Sequence, residues 1–206
     1  YLAIGVESGA ESVLDMIKKD ITKEQVRVAL KNCMAAGIMP MVSLIVGLPR
    51  ETRADIEKTL NFYDEMIALG NNIEINAISI YSPYPGTPMF NEACTLGYKP
   101  FSNLEDWAVW QVDDPRYVPW YSKSYRKKLD IISSLSRFKY FIHRLEFYPK
   151  DYKAAKLGST INRILYSIVA PIFAADASLR WKYRFFEFAP EWKLFDMARA
   201  KFIKAK

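Results

Sequence analysis

Apolar positions along the chain fall into two rhythms. Residues 2–6 and 41–46 are short apolar runs, and residues 74–81 alternate before turning apolar, so three strands are predicted. The run 41–46 is nearly unbroken, which suits a strand buried on both faces. Between the strands the spacing changes to that of helices. Val13, Leu14 and Ile17 share one side of 11–19, and Val26, Leu30 and Cys33 mark a second helix that Gly37 ends. Ile56, Leu60, Tyr63 and Ile67 mark a third, ending near Gly70. The second and third helices open on capping boxes, Thr22 with Gln25 and Thr52 with Asp55. A further short helix fits 89–96, after the rigid turn Ser82-Pro-Tyr-Pro-Gly-Thr-Pro88.

The order β-α-β-α-β with short loops predicts parallel strands and right-handed crossovers. Three strands cannot close a barrel, so they belong to a larger α/β sheet or barrel. In such βα units a ligand sits at the carboxyl end of the strand, which places Gly47 to Glu51 at the rim of any active site.

From residue 101 the pattern changes again. Residues 101–120 form a Trp- and Pro-rich connection. Residues 122–145 fit a basic amphipathic helix with Tyr125, Leu129, Ile132, Leu135, Phe138, Ile142 and Leu145 on one face. Pro149 interrupts it, 161–175 is apolar with a kink at Pro171, and a last helix is expected around Trp192, Phe195 and Phe202. The apolar run 164–175 is too short to span a bilayer.

Charge follows the same division. Residues 1–100 carry 9 Lys+Arg against 12 Asp+Glu, a balance of −3, and residues 101–206 carry 20 against 11, a balance of +9. Aromatic residues number 7 in the first part and 23 in the second, so the boundary lies near Pro100. Two cysteines 61 positions apart, Cys33 and Cys94, make no disulfide framework and no ligand pair, which favours a reducing, cytoplasmic compartment. His143 is the single histidine, so a multi-histidine zinc site is excluded. The sequence opens at Tyr1 directly on a strand with no secretory signal, so we expect a fragment beginning inside a domain.

The three strand ends carry the chemical candidates: Ile4-Gly-Val-Glu-Ser-Gly9, Leu44-Ile-Val-Gly-Leu-Pro-Arg-Glu-Thr52 and Tyr84-Pro-Gly-Thr-Pro88. In this order and at these spacings they resemble the second half of a radical S-adenosylmethionine (SAM) core, and more narrowly the class in which a cobalamin-binding domain precedes that core. The resemblance covers residues 1–97. It implies an α/β fold, the second half of a partial (β/α)6 TIM-like barrel, with 98–120 as a linker and 121–206 as a basic, aromatic-rich α-helical C-terminal extension.

It also implies roles. Glu7 matches a polar position that contacts SAM, and Ser8 adjoins it. Lys19 matches a basic position, in the helix after the first strand here, that pairs with the SAM carboxylate. Ser43 matches a position that bonds the ribose and is acidic in some relatives. Ile45 matches the residue that holds the adenine, and Gly47 leaves room for it. Tyr84 and Pro85 match a turn that closes over the same ring. The chemistry agrees: a sulfonium zwitterion needs a carboxylate, a cation and a flat apolar slot, and Glu7, Lys19 and Ile45 supply one of each.

Every one of these residues has a plainer reading. Glu7 is a solvated strand-end carboxylate, Lys19 part of the charge run Lys18-Lys19-Asp20, Gly47-Leu-Pro turn chemistry alone, Cys33 core and His143 surface. Two departures from the family also stand out. The cluster-binding CxxxCxxC is absent, and its place is expected upstream of Tyr1. The spacing from Gly47 to Glu51 is one residue longer than the GxxE of other branches, so Glu51 is assigned no ligand role.

The implied cofactors are SAM, a 4Fe–4S cluster with its ligands outside this chain and, in the named class, cobalamin on a domain outside it. The implied partners are a small hydrophobic substrate and an electron donor such as flavodoxin or ferredoxin. For the basic aromatic extension two readings stand, a helical cap over the substrate mouth and a peripheral contact with the inner face of the membrane; no nucleic-acid partner is expected. Outside the enzyme class, the rival is a non-catalytic barrel remnant with a membrane- or protein-binding helical tail. A (β/α) barrel enzyme without iron is a third reading.

Overall fold

The computed structural model describes residues 1–147, apart from 71 and 109, and residues 170–189, with side chains left out at 76, 137–147, 170–171 and 174. Three strands, β1 (Leu2–Glu7), β2 (Pro40–Val46) and β3 (Glu74–Ile80), form one parallel sheet in the order β1-β2-β3. The crossovers are α1 (Glu11–Met16) with α2 (Lys23–Ala35), and then α3 (Arg53–Ala68). After β3 come α4 (Pro88–Thr95), the four-residue α5 (Leu104–Trp107), a 3-10 turn at Pro115–Tyr117, α6 (Lys123–Phe147) and α7 (Ala170–Lys182). The mixed α/β class with a parallel sheet is as the pattern predicts.

Both capping boxes are present. Thr22 Oγ1 accepts from Gln25 N–H and Thr52 Oγ1 from Asp55 N–H, and the Gln25 and Asp55 side chains return the bond to the cap backbone. Each removes orphan donors at a helix start, a contribution of about 1 kcal/mol.

Strand β2 is not buried on both faces. Pro40, Val42, Leu44 and Val46 are buried, while Met41, Ser43 and Ile45 between them are half-buried. The buried set joins Val6, Ile75, Ile78 and Ile80 in one core with Val26 and Leu30 of α2 and Ile56, Leu60, Tyr63 and Met66 of α3. The opposite, inner face is mixed, with Gly5 paired to Ser43 and Ile45 to Ser79, and Met41 at its start. The apolar run thus masked a two-sided strand whose inner face is only partly covered among the described residues.

The outer edge of β3 is closed by the C-terminal region. Ile78 N–H donates to Ser136 Oγ of α6 (2.8 Å) and Ile80 N–H to Asp113 Oδ1 (2.9 Å). An edge strand otherwise presents a row of unpaired donors. The 98–120 stretch also packs, with Tyr98, Tyr117 and Val118 buried in the same core. On α6, Tyr125, Leu129, Ile132 and Leu135 are buried as their spacing predicts, whereas the side chains of Phe138, Ile142 and Leu145, and the helix expected around Trp192, lie outside the described residues. Helix α7 docks through Trp181, whose ring lies 4.8 Å from Tyr63 and whose Nε1–H donates to Asp64 Oδ1 (2.8 Å).

Candidate functional site

Glu7 ends β1 with φ 66°, in the left-handed region, and the β1–β2 register shifts between Gly5 and Glu7. The bulge turns the Glu7 carboxylate back over Gly5. A Cβ at Gly5 would lie 2.2 Å from Glu7 Oε1 and 3.0 Å from Lys19 Nζ. Gly5 is therefore the floor of the site, and its missing side chain makes the room. A glycine inside a strand is the sequence signal for such a close approach.

Lys19 Nζ sits 3.3 Å from Glu7 Oε1, both side chains partly exposed. It reaches there by a route different from the one expected. Helix α1 stops at Met16 rather than continuing through 19, because Lys18 (φ 54°) and Asp20 (φ 49°) turn left-handed. Lys19 N–H closes that turn on Leu14 O (2.9 Å). The lysine thus belongs to a fixed turn after the helix, which swings it over the sheet.

Ser43 and Ile45 share the inner face with this pair, Ser43 beside Gly5 in register. Ser8 does not. It is fully buried, its hydroxyl 2.9 Å from Thr59 Oγ1 and accepting Ala10 N–H (3.1 Å), while Gly9 N–H donates to Thr59 Oγ1 (3.1 Å). Ser8 faces α3 and fastens the β1–α1 turn to it, so we correct its assignment from cofactor contact to positioning of the turn.

Gly47 has φ 86°, a conformation that requires glycine. The space that its absent Cβ leaves faces Val118 (3.4 Å), Leu129 (3.5 Å) and Ile80 (3.6 Å). It admits side chains of the extension, so it is not room for a ligand ring. Tyr84 and Pro85 are exposed beyond β3, Tyr84 packing edge-on against Trp110 at 5.3 Å. Trp110 in turn stacks on Tyr117 (6.0 Å, interplanar angle 10°). This aromatic bank follows the carboxyl end of β3.

The residue missed by sequence reasoning is Glu51. It is buried, and its Oε2 accepts both Gly47 N–H (2.5 Å) and Leu48 N–H (3.1 Å). Its Oε1 is buried without a hydrogen-bond partner. Burial pushes this carboxyl up to about 8, with a further push from Asp55, against the pull of the two N–H donors. Tyr121 O–H donates to the Glu51 carbonyl (2.5 Å). Glu51 is thus a buried clasp on the turn after β2, pushed by its burial toward the protonated form. A carboxylate four residues after a turn glycine is the signal that could have found it.

A cleft of about 360 Å³ among the helices is lined by Arg53, Ile56, Leu60, Tyr125, Lys128 and Ile132. Its cations are engaged, Lys128 with Glu187 and Arg53 over Tyr125 at 4.6 Å, so it offers no reactive group. Among the described residues no group of three His, Cys, Asp or Glu is placed to hold a metal. Cys33, buried in α2, and Cys94 are free.

Residues 1–63 match the family model of the radical SAM superfamily. An uncharacterized methyltransferase of Pyrococcus horikoshii is 34% identical over 107 residues, 49% of this chain and 22% of that protein. The tRNA-2-methylthio-N(6)-dimethylallyladenosine synthases of Erwinia tasmaniensis and Aeromonas hydrophila are each 33% identical over 90 residues, 43% of this chain and 18% of those proteins. The chain spans about a fifth of the length of the curated relatives it matches. Together with the strand-end motifs, these matches place the similarity to the radical SAM superfamily on the N-terminal part of this chain.

Proposed function

We propose that residues 1–97 are the second half of a radical SAM core and that the inner face of its sheet binds SAM. The observation that carries this is the Glu7–Lys19 pair above Gly5, a carboxylate and an ammonium held side by side on an open strand end. A zwitterionic amino acid offers the inverse pair. Its ammonium matches Glu7 and its carboxylate matches Lys19, and charge-assisted bonds of this kind are the strong ones. Ser43 lies next along the inner face as a neutral partner for a ribose hydroxyl, and Ile45 gives an apolar surface for the adenine. Tyr84 and Pro85 close the ring side from the turn after β3.

Glu7, Lys19, Ser43 and Ile45 would hold SAM, which beside a reduced 4Fe–4S cluster would supply hydrogen-abstracting radical chemistry. The residues of this chain do not fit the cluster itself, because a site-differentiated cluster needs three thiolates and the chain has two cysteines. Its own contribution is to bind SAM, orient it and fix the turn beside it. The electron donor is a flavodoxin or ferredoxin, and cobalamin enters only if the narrower class holds.

For the substrate we favour a small hydrophobic molecule, because the strand ends adjoin the bank of Tyr84, Trp110 and Tyr117. The second reading is a nucleic-acid substrate. It rests on the printed names of the tRNA-modifying relatives and runs against our expectation of no nucleic-acid partner.

The test is equilibrium binding of SAM to the full-length protein after anaerobic reconstitution with iron and sulfide. Glu7→Gln and Lys19→Met should each weaken SAM by about tenfold, the equivalent of one charge-assisted contact. Ser8→Ala should leave affinity unchanged and lower thermal stability instead. Wild-type affinity in both charge variants refutes the assignment, and no SAM binding together with no cluster absorbance supports the non-catalytic rival.

A further inference from the structure

Helix α7 is apolar on two sides. Its inner side carries Ala177 and Trp181, both buried against the core. On its outer side Ile172, Leu179 and Tyr183 follow one another at helical spacing, and the turn after it adds Phe185 and Phe188. These five side chains are between 46% and 69% exposed. Asp176 interrupts this outer face, but exposed apolar side chains grouped on one side of a helix mark an interaction surface.

The cations around the patch narrow the partner. Lys182 Nζ lies 5.6 Å from the centre of the Tyr183 ring and the Arg180 guanidinium 5.3 Å from that of Phe185. Each pairs an apolar body with a cationic tip, the composition favoured where a hydrocarbon surface meets water. Residues 101–206 carry a surplus of +9, and the stretch 170–189 itself carries Arg180, Lys182 and Arg184 against Asp176 and Glu187, a balance of +1, the sign that an anionic face complements. Ile172 and Leu179 offer nothing to a nucleotide, which disfavours RNA on this face. No helix among the described residues is long and apolar enough to cross a membrane, so the contact is a peripheral one.

We propose that the outer face of α7 and the turn after it, from Ile172 to Phe188, dock the protein on an anionic lipid bilayer. This surface lies apart from the SAM face and its test does not depend on catalysis. The experiment is flotation of the full-length protein with phosphatidylglycerol–phosphatidylcholine vesicles at low and high salt, with pure phosphatidylcholine as the neutral comparison. Wild type should float with the anionic vesicles, less at high salt and less with neutral ones. The double variant Leu179→Glu/Phe188→Glu should lower the partition coefficient by about tenfold or more at unchanged melting temperature, as expected for charging two side chains that enter the interface. If that variant melts early, Leu179→Ser/Phe188→Ser makes the same comparison without buried-charge strain.

Absence of flotation with anionic vesicles at low salt overturns the proposal, and so does flotation that both variants leave untouched. A dimer that the variants dissociate, without vesicle binding, assigns the face to a second copy and overturns it too. Retention of tRNA by wild type with no vesicle binding assigns it to RNA.

Discussion

The buried carboxyl of Glu51 makes a quantitative demand on the pH dependence of stability. Its value rises from an ordinary 4.5 to about 8 in the folded chain, chiefly because burial disfavours the charged form. Between those limits the folded chain keeps a proton that the unfolded chain has released, so stability falls as pH rises through that window and is unaffected by this group below it. At roughly 1.4 kcal/mol for each step of one in pH, the full loss attributable to Glu51 reaches about 5 kcal/mol at pH 8. Glu51→Gln removes the ionisation while its amide oxygen still accepts Gly47 and Leu48 N–H. The new amide protons face the dry side where Oε1 has no partner, at a cost of about 1–2 kcal/mol.

The variant should therefore be less stable than wild type at pH 5 by up to about 1 kcal/mol, because wild type has already lost about 0.8 kcal/mol there, and more stable at pH 8 by about 3 kcal/mol, a crossing that ordinary surface carboxyls do not produce. Urea unfolding at the two pH values measures it, and the difference between variants cancels the titration of all other groups. Glu51→Leu gives the complementary arm: equally free of titration here, but leaving two buried N–H donors without an acceptor, it should lie about 2–4 kcal/mol below Glu51→Gln at every pH. If Glu51→Gln differs from wild type by the same amount at pH 5 and pH 8, the carboxyl is not held protonated and the reasoning fails.

Three further expectations follow from close contacts elsewhere. A Cβ at Gly9 would lie 2.6 Å from Lys58 O and from Phe62 Cβ, so Gly9→Ala should lower stability by about 1–3 kcal/mol, read as a fall in melting temperature. Ser136→Ala leaves the buried Ile78 N–H without its acceptor and should cost about 1–3 kcal/mol, with faster hydrogen exchange at that amide as the specific readout. Asp55, although partly desolvated, is brought down to about 2 by bonds from Thr52, Lys58 and Ser12. It stabilises the fold above the ordinary aspartate value and loses that contribution as pH falls through about 2. Asp55→Ala should cost about 1–2 kcal/mol at pH 7 and only about 0.4 kcal/mol near pH 2, where half of the carboxyl is still ionised, measured by denaturant titration at both.

Elements whose cause is local were legible in the sequence. The capping boxes at Thr22 and Thr52, the parallel strand order and the buried face of α6 all follow from spacing within a few residues. What was not legible depends on backbone conformations that the residue types do not announce. Lys18, Asp20 and Glu7 all adopt left-handed φ without being glycine, and those three bends bring Lys19 onto Glu7. The side that Ser8 takes belongs with these: Glu7 is left-handed and the register shifts there, so regular strand alternation does not assign the next residue a face. The closing of β3 could not be read at all, because Asp113 and Ser136 meet it from 33 and 58 residues away.

These long-range contacts change what the C-terminal region is for. Val118 and Leu129 cover Gly47, Tyr121 holds the Glu51 carbonyl, and Asp113 and Ser136 end the sheet at β3. The turn that follows β2 is therefore shaped from both sides, by the Glu51 carboxyl from within and by residues 113–136 from without. A site of opposed charges needs its partners held to a fraction of an ångström, and that precision comes from the shell around them more than from the charged residues. On the β1 side, Ser8, Gly9 and Thr59 give the same support to Glu7. The extension accordingly divides into two functions along its length: residues 101–136 brace the strand ends, and α7, anchored through Trp181, is left with an outer face that the core does not use.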